Sequence, residues 1–175
     1  LELEPTRTAY TNRGLQFYYE GHFADAVEMQ LKAIELAPND HRAWGRLAES
    51  YRAMGADEDL QKKAYATAIP LAESKLEIND QDWTTTAMLA LYYVYSGRQV
   101  DASKQMESAL RISKRNPEAL LYAALLANAL GDTGATLAIL EEMVEADETY
   151  REYVLNEPDL KPLHGNERFD RLINP

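Results

Sequence analysis

The sequence predicts an all-α chain of about four stacked helix hairpins closed by a C-terminal helical segment, and three regularities predict it. Glycines recur at Gly21, Gly55, Gly97 and Gly131, with separations of 34, 42 and 34 residues, a period that belongs to helix-turn-helix units. A column of small residues keeps the same register, namely Gly14, Ala48, Ala90 and Ala124. An aromatic column follows it at Phe17, Tyr51 and Tyr93, broken by Ala127. Small residues let two helices approach closely, and an aromatic about one turn on fills the space toward the next hairpin.

Taken in order, residues 1–6 run into a helical pattern without an initiator Met and read as the tail of an upstream unit. Residues 7–40 form the first predicted hairpin, with Tyr10 near its start and Ala26 and Ala33 on its second helix. Residues 41–80 form the second, starting near Trp44 and carrying the eight extra residues of the long spacing, two of them assigned after Asp80. The stretch AIPLAESKLEIND therefore lengthens its second helix by more than a turn. Pro70 inside that stretch removes a backbone donor and disfavours helical Ile69, so a kink or break is expected there. Residues 81–116 form the third hairpin, with Trp83 slightly displaced from the bulky column and Ala102 and Ala109 on the second helix. Residues 117–146 form the fourth, where Leu120 is the bulky residue and Thr136 and Met143 stand at alanine positions. Residues 147–175 read as a cap, with a helix over 148–156, a turn at Pro158, and Asn166 before Glu167 starting a last turn that buries Phe169 and Leu172. A stack of hairpins leaves its last apolar face open, and such a cap covers it.

The first hairpin carries Tyr10-x3-Gly14-x2-Phe17-x3-Gly21-x-Phe23-x2-Ala26-x6-Ala33-x4-Pro38. This pattern closely resembles the tetratricopeptide repeat, and the resemblance extends over about residues 7–146. It implies a right-handed α-α superhelix that holds a peptide on its concave side, lined by the first helix of each hairpin. The departures are Arg13, in a normally apolar column, and Thr136 and Met143, which suggest a looser or capping last repeat. The second helix with Ala64-Tyr65, Ala68-Ile69 and Leu71-Ala72-Glu73, then LALYYVYSG, LLANALGD and EPDLKPLHGNERFDRL, is similar to the C-terminal repeats of bacterial signalling proteins. In those proteins such repeats follow kinase, adenylate cyclase or winged-helix regulator domains.

Composition narrows the function. With 46% hydrophobic and 27% charged residues the chain has enough apolar content to fold. A formal charge of -11 opposes nucleic acid and anionic membrane surfaces. No stretch approaches the roughly 20 apolar residues needed to cross a bilayer. Without Cys there is neither a disulfide nor a thiolate nucleophile. His22, His41 and His164 have no ligand spacing, and the acidic run Glu141-Glu142-x2-Glu145-x-Asp147-Glu148 lacks the pattern of a calcium loop, so that run reads as a solvated helix face. Gly131-Asp132-Thr133-Gly134 lacks the Lys-Ser/Thr ending of a phosphate loop and reads as a turn. No nucleophile and base pairing is recognisable. The expectation is a protein that is not an enzyme and has no cofactor or metal.

On the face that the resemblance makes concave, the first helices offer Thr8, Thr11, Asn12, Leu15 and Tyr19, then Arg42, Arg46, Glu49 and Arg52. The third and fourth offer Thr84, Met88, Leu91 and Tyr95, then Leu121, Tyr122, Leu125 and Asn128. The Lys/Asn/Arg carboxylate clamp of chaperone-binding relatives is missing, because Thr11, Leu15, Thr84 and Met88 occupy its positions. Arg42 and Arg46 lie one helical turn apart, able to take an acidic group by paired hydrogen bonds or, equally, to be satisfied by Glu49 and neighbouring helices. The helices AMLALYYVYSG and EALLYAALLANALG are apolar nearly all round, a property of helices buried on more than one side. Something is thus expected to cover Met88, Leu91, Tyr95, Leu121 and Leu125, whether the chain's own C-terminal segment, a second copy or a partner peptide.

The functional expectation is a protein-protein interaction module that binds a peptide or partner helix in this groove, within a larger bacterial signalling or regulatory protein. The alternative is a structural self-association module, a homodimer, whose groove is filled by its own C-terminal segment or a second copy. Compartment stays open, with the cytoplasm favoured and the periplasm admitted if a membrane helix precedes these repeats.

Overall fold

The computed structural model describes residues 6–174; residues 1–5 of the expected upstream tail (1–6) and the final residue of the cap lie outside the described residues. Among the described residues all regular structure is helical. The first unit contains α1 (Arg7–Glu20), α2 (Phe23–Leu36), α3 (His41–Ala53) and the greater part of α4 (Glu58–Ile78). The second contains the end of α4, then α5 (Trp83–Tyr95), α6 (Gln99–Ser113), α7 (Pro117–Ala129) and α8 (Thr133–Ala146). It closes with 3-10 turns at Glu148–Tyr150 and Pro158–Leu163 around α9 (Arg151–Asn156), and ends in α10 (Glu167–Ile173). The boundary between the two compact units falls inside α4, between Ala72 and Glu73.

One turn geometry explains the glycine period. Each of the four glycines has φ between 68° and 80°, a left-handed conformation that costs a glycine little. The amide of the following residue then reaches back over the helix end: His22 to the Phe17 carbonyl (2.8 Å), Ala56 to Tyr51 (2.9 Å), Arg98 to Tyr93 (2.8 Å) and Asp132 to Ala127 (3.0 Å). These are the helix-ending hydrogen bonds in which a left-handed residue frees the chain to reverse.

A second column shares the same register. Thr6, Asp40, Asp82 and Asn116 cap α1, α3, α5 and α7, their side-chain oxygens accepting from the amides of Ala9, Arg42, Thr85 and Ala119. Their separations match those of the glycines, so Asp82 and not Asp80 is the equivalent residue, and all eight extra residues precede it. They extend α4 to 21 residues, against 14 or 15 for α2, α6 and α8. Of the kink or break expected at Pro70, the break does not occur: α4 runs through the proline, whose ring is exposed.

In the first unit α1 packs on α2, and α3 on both. Gly14 brings α1 close to Met29 and Gln30 of α2, while Ala26 and Ala33 of α2 and Ala43, Leu47 and Ala48 of α3 are buried. In the second unit α5 packs on α6 and α7, and α7 on α6 and α8. Thr85 to Val94 form ten consecutive buried residues of α5, as its all-round apolar surface requires. The cap is ordered against this unit. Val154, Leu160 and Phe169 are buried, α10 lies against α8, and Arg168 forms a two-pronged ion pair with Glu141 at 2.6 Å.

Candidate functional site

In the first unit Asn12, Leu15 and Tyr19 lie three and four residues apart and therefore share one side of α1. Asn12 is exposed and the other two are half-buried. On α3, Arg42 is exposed, its Nε 3.3 Å from Asp40 Oδ1; Arg7 also pairs with this carboxylate. Burial pushes the Asp40 carboxyl upward, but the Arg42 side chain and amide, with Arg7 nearby, outweigh it and hold the group below the ordinary carboxylate range. Arg46 gives Nη1 to Glu49 Oε2 at 2.8 Å. Glu49, placed by the sequence on the open face, is buried, and its pairing with Arg46 offsets part of the cost of taking the carboxylate out of water. Arg52 is half-buried at the helix end. Of the three arginines grouped by sequence, Arg42 presents the most open guanidinium.

In the second unit Met88, Leu91 and Leu125, placed by the sequence on the groove face and expected to be covered, are only 4%, 5% and 9% exposed. Their burial follows from helices that are apolar on every side in a unit where α5, α6 and α7 all meet. Tyr95 and Tyr122 stay half-buried. At the C-terminal ends of α5 and α7 the chain's own cap arrives: Tyr95 donates its hydroxyl to Asp159 Oδ2 at 3.3 Å, and Asn128 donates Nδ2 to the Asp159 carbonyl at 2.8 Å. Sequence inspection did not single out Asp159. Its visible signal was the run EPDLKPL, in which Asp159 and Leu160 stand between two prolines and a second leucine follows.

The other candidates resolve into structure. His22 is exposed beside Glu20, His41 is buried at the start of α3, and the exposed His164 rests on the Phe169 ring with centroids 5.3 Å apart. Among the described residues no cluster of His, Asp or Glu could hold a metal ion. Gly131 turns the chain and Asp132 caps α8. The acidic run on α8 is only partly a solvated face, since Glu141 pairs with Arg168 and Glu142 with Arg115; hydrogen bonding by these arginines lowers both carboxyl pKa values. Among the described residues no helix is long and apolar enough to cross a membrane.

No protein-family model matches the sequence, and no curated protein does. Solved structures do. The chain is similar to TTC0263, a thermophilic TPR protein in Thermus thermophilus, with 16% identity over 89% of this chain and 99% of that one and a TM-score of 0.48. It is similar to MamA, with 19% identity over 84% and 81% and a TM-score of 0.45. It is also similar to the APC/C hetero-tetramer Cut9-Hcn1, with 15% identity over 97% of this chain and a TM-score of 0.57, where it spans 32% of the other chain. Among the described residues the fold class is all-α, with helices packed in consecutive pairs, and likeness at this level of identity concerns the fold alone.

Proposed function

We propose that the chain is a non-enzymatic protein-interaction module that binds a peptide or partner helix. The observation that carries this is the first unit's surface. Asn12, Leu15, Tyr19 and Arg42 stay wholly or partly exposed on two first helices that pack together, α1 and α3. Tyr19 lies near the end of α1, while Arg42 at the start of α3 shares Asp40 with Arg7 at the start of α1, so an extended ligand would meet the two in succession, the ring supplying contact area and the charge setting register. Arg46, Glu49 and Arg52 support that surface, and an acidic side chain is the natural partner for the Arg42 guanidinium by charge-assisted hydrogen bonding, a local attraction set against the chain's net charge of -11. The similarity to the C-terminal repeats of bacterial signalling proteins supports a place within a longer regulatory protein.

The test is titration of fluorescein-labelled acidic peptides. Arg42→Gln and Tyr19→Ala should each weaken binding by roughly tenfold, the scale of one interface anchor. Unchanged affinity in both variants removes this surface from the account. A structural role, with or without self-association, is the second reading, and the cap's approach to Tyr95 and Asn128 favours its self-filled form, since the chain itself covers part of the face. Light scattering that returns a monomer at high concentration eliminates the dimeric form.

A further inference from the structure

The cap segment at Pro158–Leu163 is held the way a bound peptide would be held. Its 3-10 winding repeats every three residues, so Leu160 and Leu163 stand on one side, and both are buried. In such a turn the carbonyl of Asp159 would accept from the residue three positions on, but that residue is Pro162, which has no N–H. The freed carbonyl is taken by Asn128 of α7 at 2.8 Å, and the Asp159 carboxylate by the hydroxyl of Tyr95 on α5. An acidic residue, a leucine, a proline that leaves a main-chain acceptor unused, and a second leucine together form the recognised unit.

The segment is also mounted as a loop on a fixed base. Arg151 at the start of α9 gives its guanidinium to the Leu172 carbonyl of α10, and Arg168 of α10 grips Glu141 of α8 through both oxygens. The anchors therefore sit on either side of residues 157–166, while the intervening turn reaches α7 and Tyr95. A loop tied at both ends can leave its surface without dismantling the base.

We infer that the α5/α7 surface around Tyr95 and Asn128 binds peptides of the form acidic-Leu-x-Pro-Leu, and that the chain's own Asp159–Leu163 turn is a tethered ligand which a partner peptide must displace. This rests on the interaction-module reading and extends it to a second surface. The two stand or fall separately, since that reading is tested through Arg42 and Tyr19.

The experiment uses the full chain and a fluorescein-labelled peptide of residues 157–165, followed by anisotropy. Wild type should bind it weakly, and Leu160→Ala/Leu163→Ala at least about tenfold more tightly, because the competing turn is loosened. Adding Asn128→Ala should abolish that gain, and a peptide carrying Pro162→Ala should lose several-fold in affinity, by roughly the share of one hydrogen bond. Amide hydrogen exchange of wild type gives a readout that does not depend on the variants folding: the amides of 157–166 should exchange at least about tenfold faster than those of α8. A folded loosened variant that binds no tighter, a gain that survives Asn128→Ala, or cap amides that exchange only as slowly as α8 each overturns the inference.

Discussion

Gly14 shows how one residue sets the distance between two helices. A Cβ there would fall 2.4 Å from Gln30 Nε2 and 3.2 Å from Met29 Cβ. Gln30 is almost fully buried, with its Oε1 lacking a hydrogen-bond partner, so its amide has little room to retreat. Alanine favours helix over glycine by about 1 kcal/mol, yet overpacking a close contact costs about 1–3 kcal/mol. Gly14→Ala is therefore expected to destabilise the chain by up to about 2 kcal/mol in urea unfolding, the difference of those two effects. Gln30→Ala removes the obstacle, and in that background Gly14→Ala should become neutral or stabilising. A double-mutant cycle without coupling would place the constraint elsewhere.

At the scale of the element, α4 and α5 separate what local sequence dictates from what it does not. Glycine turns and small-residue columns were legible because each is enforced within one hairpin, by a left-handed backbone or a close helix pair. The fate of Pro70 was not legible, because neighbours in the sequence say only that a donor is missing, while the unbroken α4 shows that packing overrides the loss. Alanine at this exposed position restores the donor, so Pro70→Ala should stabilise by about 1–3 kcal/mol, measured as a higher urea midpoint, if the native backbone accepts it. The two ends of α5 make a different prediction. At its start, burial pushes the Asp82 carboxyl upward, but Lys75 at 2.7 Å and the amide and hydroxyl of Thr85 outweigh it and bring it from 3.8 to about 2. Near its end, burial and the hydrogen bond to Glu73 at 2.6 Å push the Tyr93 hydroxyl from 10.0 to about 12. A depressed carboxyl adds stability above its ordinary value and loses it as pH falls; a raised phenol adds stability below its ordinary value and loses it as pH rises. Melting temperature should therefore fall between pH 3.8 and about 2, and again between pH 10.0 and about 12. Asp82→Asn should flatten the acid limb and Tyr93→Phe the alkaline one, and a limb that survives its variant belongs to another group.

At the scale of the whole molecule, what the sequence could not disclose was contact between distant segments. Tyr95 and Asp159 are 64 residues apart, and Asn128 and Asp159 are 31 apart, so no period or column marks their meeting. The apolar excess of α5 and α7 did announce that their surfaces would be covered, without saying by what. Charge is the other global quantity. With 29 acidic and 18 basic residues, the chain retains carboxylates that no cation neutralises, and their repulsion acts over the screening length, about 30 Å at 0.01 M salt but about 8 Å at physiological strength. Exposed ion pairs such as Lys62–Glu58 and Arg98–Asp101 also weaken in salt, but between solvated side chains each contributes little. The repulsion is the larger quantity, because it sums over every unpaired charge while the pairs act singly. Raising sodium chloride from about 0.01 M to about 0.15 M should therefore raise the melting temperature, by about 2–4 °C if the relief amounts to about 1 kcal/mol. Calorimetry at fixed pH checks the sign, and a melting temperature that falls with salt would mean that the surface ion pairs, including Glu141–Arg168 at the cap, outweigh the excess negative charge.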